Sequence, residues 1–199
     1  VSTPIGNLGD LTQRAEEILA SATLIACEDT RVTGKLLRNR NIKSRMIAYH
    51  DHSLPSVRRD LIECIKDGET VALVSDAGTP LISDPGYKLV AEALKAGLYV
   101  TSAPGPASPL AALVLSGLPC DRFLFLGYLP TKEKARRATI AEFVTLRATL
   151  VFLESPRRLG ASLSTMLDVL GERTIAVARE LTKLHEEVTR GSLSELAAK

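Results

Sequence analysis

Two carboxylates stand where a strand end would present them to a substrate. Glu154 follows the apolar run Leu150 to Leu153, and Glu180 lies just beyond Thr174 to Ala178. A carboxylate in such a place can accept a proton from a reacting group. Each could equally be tied up by Arg157, Arg158 or Arg179 close by. A different chemistry is suggested by Val71 to Gly86, VALVSDAGTPLISDPG. After four apolar residues it holds Gly78, Pro80, Pro85 and Gly86 among Ser75, Asp76, Thr79, Ser83 and Asp84. Glycine lets backbone come close to a ligand, and proline fixes a loop that would otherwise move. A long structural connection is the plain alternative. His50-x-His52 could set two imidazoles on one face of a strand end, but without a third clear ligand the pair suits a surface or RNA-facing role better than a metal. Two basic stretches, Lys35 to Lys43 and Lys132 to Arg137, would in most proteins be solvated helix faces; together they admit contacts to a phosphate backbone.

Several familiar sites are excluded. Gly34-Lys35 lacks the upstream glycine of a phosphate-binding P-loop and is followed by Leu36. No G-x-G-x-x-G follows a strand, and no G-x-S-x-G nucleophile elbow occurs.

The elements that must carry these residues alternate between strand and helix. Strands are expected at Thr23 to Cys27, Arg45 to Tyr49, Val71 to Val74, Leu98 to Ser102, Phe123 to Gly127, Leu150 to Leu153 and Thr174 to Ala178. Helices are expected at Leu11 to Ala20, with Asp10 as cap and Gln13 completing a capping box, and at Val32 to Arg40. Further helices run from Pro55 to about Asp67, from Tyr87 to Ala96, and from about Leu110 to Ser116. Lys132 to Leu146, the stretch to Leu170 capped by Ser155 with Pro156 at its first position, and the tail Ser192 to Lys199 complete the set. Gly/Pro or charged tips repeatedly follow the strands, including Pro4 to Asp10 and Ala103 to Pro109. The fold class is α/β, with its chemistry at the carboxyl ends of the strands. Leu118 to Asp121 is the expected boundary between domains 1–117 and 118–199.

Composition narrows the class of function. At 199 residues, with 45% hydrophobic and 24% charged residues, the chain can bury a core in one large domain or two small ones. A net charge of +2 gives no global field for nucleic acid, so any basic surface must be local. Four Tyr, four Phe and no Trp argue against a base-stacking sheet of the RRM kind. Cys27, Cys64 and Cys120 form no CxxC pair, which argues against a zinc site or disulfide framework and fits a reducing cytoplasm. No run approaches the ~20 apolar residues of a membrane span. With no initiating Met and a start inside an expected strand, the chain is expected to lack its true N-terminus.

The ordered set TPIGNLGD, ACEDTR, VSDAGTPLISDPG, PGPAS, FLGYLP, FLESPRR and ARELTK closely resembles one group of the tetrapyrrole methylase superfamily. That group is the small-subunit ribosomal RNA (cytidine-2′-O-)methyltransferase I family, and the resemblance covers essentially the whole chain in order. It implies two α/β domains with a cleft between them, S-adenosylmethionine bound in that cleft, and a homodimer. It implies methylation of a cytidine ribose in small-subunit (16S) ribosomal RNA, within the assembled subunit, in the cytoplasm, and no metal. The resemblance places the cofactor against Pro4, Asp76, Ala77, Gly78, Thr79, Pro80, Ile82, Gly105, Pro106, Phe152 and Leu181. The family continues beyond Lys199 with a Gly-Glu-containing segment and a closing strand of the second domain, so the cofactor wall which that strand supplies lies outside this sequence.

On that reading a ribose 2′-hydroxyl displaces methyl from a sulfonium, and positioning supplies most of the rate. Glu154, Glu180 and Lys183 are the candidate proton acceptors. Arg31, Lys35, Arg38, Lys134, Arg137 and Arg157 are the candidate RNA contacts. Two rivals stand beside it. One is a tetrapyrrole (corrin precursor) C-methyltransferase, which shares the fold and the Gly-Thr-Pro-like loop. The other is a non-enzymatic RNA-binding module whose loops are scaffolding.

Overall fold

A computed structural model describes residues 1–198, which divide into two compact units, Val1–Ala107 and a second beginning at Ser108. In the first unit, strands β1 (Leu24–Cys27), β2 (Arg45–Ala48) and β3 (Val71–Val74) form a parallel sheet in the order β2-β1-β3. β1 is buried along its whole length, because helices cover both faces. Ile25 and Cys27 point into a cluster with Leu11, Ala15, Leu19 and Leu37, while Leu24 and Ala26 point the other way, among Leu61, Ile62, Leu89 and Ala93. The first cluster is supplied by helices α1 (Gln13–Ser21) and α2 (Thr30–Asn39), the second by α3 (Pro55–Lys66) and α4 (Tyr87–Lys95). This continuous apolar strand between two helical layers is what a parallel sheet requires. Since the strands are parallel, the residues after Cys27, Ala48 and Val74 all emerge at one end.

The second unit holds a parallel pair, β4 (Phe123–Tyr128) with β5 (Thr149–Leu153), and an antiparallel hairpin, β6 (Thr174–Arg179) with β7 (Glu187–Ser192). Helix α5 (Ser108–Ser116) packs on β5, β6 and β7, and α6 (Glu133–Ala141), α7 (Leu159–Leu170) and α8 (Leu193–Ala197) pack in sequence. Leu163, Leu193 and Leu196 form the core here, with Leu159, Met166, Ile175 and Val177 against them. Among the described residues no helix is long and apolar enough to cross a membrane.

Several expectations meet a different local chemistry. The units divide before α5, not after Gly117, because the carbonyls at the end of this helix accept from the second unit. The Arg190 guanidinium donates to Leu115 O and, at 3.2 Å, to Ser116 O, the favourable place for a cation on a helix. Asp10 does not cap α1. Leu8–Asp10 is a short 3-10 turn, and Thr12 is the cap, its hydroxyl accepting from Ala15 N at 3.1 Å. Leu98 to Ser102 forms no strand: Leu98 N–H donates back to Ala93 O, and Tyr99 and Val100 face solvent. Ser155 and Pro156 form a turn ahead of α7, since Ser155 N–H is taken by the Glu154 carboxylate and Arg158 N–H by Ser155 O. Helix α6 ends at Ala141, short of Leu146. β7 is an element the sequence reading did not anticipate.

Candidate functional site

In the first unit three separated small-residue segments are tied into one structure beyond the carboxyl end of β3. Thr3 and Gly78 exchange both backbone hydrogen bonds, at 2.9 and 3.0 Å. Ser2 N–H donates to Ala103 O at 3.1 Å, and the Ser2 and Thr79 hydroxyls are 3.1 Å apart. The Thr79 hydroxyl donates to Pro106 O at 3.0 Å, and that of Ser75 to Ala77 O at 3.2 Å. The stretches around Pro4, Asp76 to Ile82, and Gly105-Pro106 are therefore neighbours, as a shared ligand surface needs.

Glycine is required here by both conformation and space. Gly78 has φ +80°, and a Cβ on it would lie 3.3 Å from Ile5. A Cβ on Gly105 would lie 2.9 Å from the Ser2 Cβ. Gly78 and Pro80 are buried and shape the loop; Asp76, Ala77, Ile82 and Gly105 are exposed on it. Pro4, Thr79 and Pro106 are half-buried. Ser2 and Ser75 knit the segments together, and the sequence signal for them is weak: small polar residues beside a Gly/Pro loop.

Carboxylates gather at the same strand ends. Asp76 Oδ1 accepts from Asp29 N at 3.0 Å, joining the tips of β1 and β3. Burial raises the Glu28 carboxyl above its ordinary range, and the charges of Asp76, Asp84 and Asp51 add to that. Asp84 is raised by burial and by Asp76, partly offset by the Ser75 hydroxyl. Asp29 goes the other way, to about 2, because Arg31 donates to it through side chain and backbone. Their ion pair is 2.6 Å long.

In the second unit the proposed proton acceptors part company. The Glu154 carboxylate accepts from Ser155 N at 2.8 Å and Ser162 Oγ at 2.6 Å, and pairs with Arg158 at 3.2 Å while its side chain is only 7% exposed. Arg158 in turn donates to Pro130 O at 3.3 Å. Glu154 is thus committed to holding the β4 and β5 tips together. Glu180 and Lys183 lie on the exposed loop between β6 and β7, paired to each other at 3.2 Å. Leu181, on the same loop, and Phe152, in β5, are half-buried.

The basic candidates also separate. Arg31 is paired with Asp29, and Arg137 with Glu133 and Asp168. Lys35, Arg38, Lys134 and Arg157 are exposed and form no ion pair among the described residues. Arg136, on the same helix as Lys134, is buried instead, donating to Thr165 Oγ1 at 3.0 Å. The His50 and His52 rings are 6.3 Å apart and tilted, and no group of three or more His, Cys, Asp or Glu among the described residues is placed to hold a metal ion. An open depression of about 560 Å³ lies along α1, lined by residues such as Glu16, Glu17, Arg40 and Lys43. None of the tied-loop residues lines it, and their tight glycine packing and exposed Asp76 are the better marks of a binding surface.

The family model for tetrapyrrole (corrin/porphyrin) methylases matches residues 1–197. A ribosomal RNA small subunit methyltransferase I from Mesorhizobium japonicum is 52% identical over 198 residues, covering 99% of this chain. The chain spans about two thirds of that relative, 67% of its length. Among solved structures, diphthine synthase superposes with a TM-score of 0.76 at 16% identity, covering 100% of this chain and 83% of that one. Uroporphyrin-III C-methyl transferase from Thermus thermophilus, complexed with S-adenyl homocysteine, superposes at 0.62 with 22% identity, covering 97% and 86%. Ordered motifs, fold and near-complete coverage agree: the chain belongs to the tetrapyrrole (corrin/porphyrin) methylase family.

Proposed function

We propose that this chain is an S-adenosylmethionine-dependent methyltransferase that modifies a cytidine 2′-hydroxyl in small-subunit ribosomal RNA. The observation that carries the reading is the tied set of three loops beyond β3, in a chain 52% identical to a protein named for that RNA. The residues present fit the cofactor. The exposed rim offers a carboxylate at Asp76 for hydroxyl or ammonium groups, small residues at Ala77 and Gly105 where a flat base needs room, and backbone polar groups between them. Asp76, Ala77, Thr79, Ile82, Gly105, Pro106 and Pro4 would hold it, shaped from beneath by Gly78 and Pro80. The resemblance adds Phe152 and Leu181. The bound cofactor supplies an electrophilic methyl on a sulfonium.

Everything else falls to positioning and proton transfer by the chain. Rigid loops that hold the methyl donor in line with the attacking oxygen can lower a barrier by roughly 7–11 kcal/mol. Within the Glu180–Lys183 pair the Glu180 carboxylate is the proposed proton acceptor, because it is accessible; Lys183 could take that role only as the neutral amine. Glu154, whose carboxylate is already occupied, is a positioning residue on this reading. Lys35, Arg38, Lys134 and Arg157 would neutralise phosphates; Arg31 and Arg137 would first have to leave their carboxylate partners. A homodimer acting on the assembled subunit in the cytoplasm completes the proposal.

Equilibrium binding of radiolabelled S-adenosylmethionine, followed by incubation with small subunits or free small-subunit RNA, tests it. Cofactor binding with label entering the RNA is expected. Label entering a tetrapyrrole and not RNA would establish the C-methyltransferase alternative, and no cofactor binding would reduce the chain to a binding module.

A further inference from the structure

We propose that Leu184, at the tip of the β6–β7 hairpin, is a wedge that inserts between RNA bases beside the target nucleotide and frees that nucleotide from its stack. This rests on the reading of the chain as an RNA ribose methyltransferase.

The loop is braced from within. At its base Arg179 Nε donates to Glu187 Oε2 at 2.7 Å. Inside it, Lys183 N–H donates to Glu180 O at 3.0 Å, Glu186 N–H to Lys183 O at 3.1 Å, and Thr182 N–H to the Glu186 carboxylate at 2.7 Å. Two non-glycine residues are held in the left-handed region, Glu180 at φ +51° and Thr182 at +64°. A β-branched residue is a genuine outlier there, and such backbone persists only where its surroundings over-determine it.

What this frame holds out is an aliphatic side chain. Leu184 is 91% exposed, the most exposed of the large apolar side chains among the described residues. A lone surface leucine needs no explanation on an ordinary loop; on a strained and braced tip it does. A single side chain is far too small for a stable protein interface, which takes about 800 Å² from each partner. It is the size of the wedges that nucleic-acid-binding proteins push between base steps, commonly one Leu, Ile, Met or Phe. The acidic groups of the loop turn into the frame, Glu180 onto Lys183, Glu186 onto Thr182 and Glu187 onto Arg179. Leu184 and the exposed His185 are left to face outward. The same hairpin carries Glu180, so a nucleotide released by Leu184 is delivered beside the proposed proton acceptor.

The test compares wild type, Leu184→Ala and Leu184→Met on a small-subunit RNA fragment carrying 2-aminopurine next to the methylated nucleotide. The wild type is expected to raise 2-aminopurine fluorescence on binding, as unstacking does. Leu184→Ala should lose that rise and about tenfold or more in kcat/KM, and Leu184→Met should recover most of both. S-adenosylmethionine affinity and the melting temperature should not move. Retained fluorescence and turnover in Leu184→Ala would overturn the wedge. So would a fall in oligomeric mass in that variant, which would give Leu184 to a second copy of the chain. If the wild type transfers no methyl to RNA, the parent reading has failed and the wedge with it; if only the variant's signals stay intact, the wedge alone has failed.

Discussion

Replacing Gly78 by Ala should cost this chain its cofactor while leaving it folded, and a second glycine supplies the control. Gly78 and Gly97 have nearly the same backbone, φ +80° and +74°. An L side chain in that region costs about 1–2 kcal/mol, so both variants should lose similar stability. For a chain of this length that is a fall of roughly 2–4 °C in Tm per kcal/mol. The two positions differ in what surrounds them. A Cβ at Gly97 meets nothing within 4 Å, whereas at Gly78 it meets Ile5 at 3.3 Å beside the paired backbone of Thr3. The Gly78 loop has two ways to respond. It can keep its φ and push the Pro4–Ile5 segment away, or relax its φ and break its two hydrogen bonds to Thr3, each contributing about 0.5–1.5 kcal/mol. Either route moves the proposed binding surface by about 1–3 kcal/mol, which corresponds to roughly a fivefold to 150-fold rise in Kd. Calorimetric titration of both folded variants with S-adenosylmethionine decides the matter. Equal affinities for Gly78→Ala and Gly97→Ala would refute the claim that these loops form the cofactor surface.

Three other outcomes follow from the same geometry. Lys35→Glu and Lys134→Glu should each flatten the salt dependence of RNA binding by roughly 0.7–0.9 of a unit of slope, with cofactor affinity unchanged; Arg137→Glu should lower Tm instead, because it breaks pairs with Glu133 and Asp168. Glu154→Gln should cost about 1.5–3 kcal/mol of stability, since its charged hydrogen bonds are structural, whereas Glu180→Gln should keep stability and cut turnover by roughly 10²–10⁴-fold. Asp84 is raised above 3.8, chiefly by burial, so the folded chain holds its proton more tightly than the unfolded chain and stability falls as pH rises through that raised value. Asp84→Asn should therefore melt higher than wild type at neutral pH, with the gap closing by about pH 4; a constant gap across that window would contradict the assignment.

Where periodicity and burial set the local structure, the sequence was legible. Val71–Val74 reads as a strand covered on both faces, and it is a strand beside β1. Ala72 and Val74 are buried in one core cluster and Val71 and Leu73 are half-buried against the other, because the strand lies at the edge of the sheet. Pro55 opens α3 as expected, and the expected C-terminal helix is found as Leu193–Ala197, with Ser192 as its cap. Legibility fails where two residues offer the same chemistry a few positions apart. Asp10 and Thr12 can both cap a helix, and only the packed chain shows that Thr12 does. It fails again where a strand depends on a distant partner. Leu98 to Ser102 has the composition but no ladder, while Glu187–Ser192 gains one only because β6 folds back onto it. Side-chain commitment is the least visible in sequence. Glu154 and Glu180 looked alike after their strands, and one proves buried among donors while the other stays accessible. Arg136 and Arg137 are adjacent, yet the first turns inward to Thr165 and the second outward to Asp168.

The most direct test of the central claim is methyl transfer to two versions of one small-subunit RNA, differing only by a 2′-deoxy sugar at the target cytidine. The 2′-oxygen is the nucleophile on this account, so the ribo substrate should yield 2′-O-methylcytidine on nucleoside mass spectrometry. The deoxy substrate should bind with a loss of only about 0.5–1.5 kcal/mol and accept no methyl at all. Methyl on the deoxy substrate, or on the base of either, would contradict the ribose assignment.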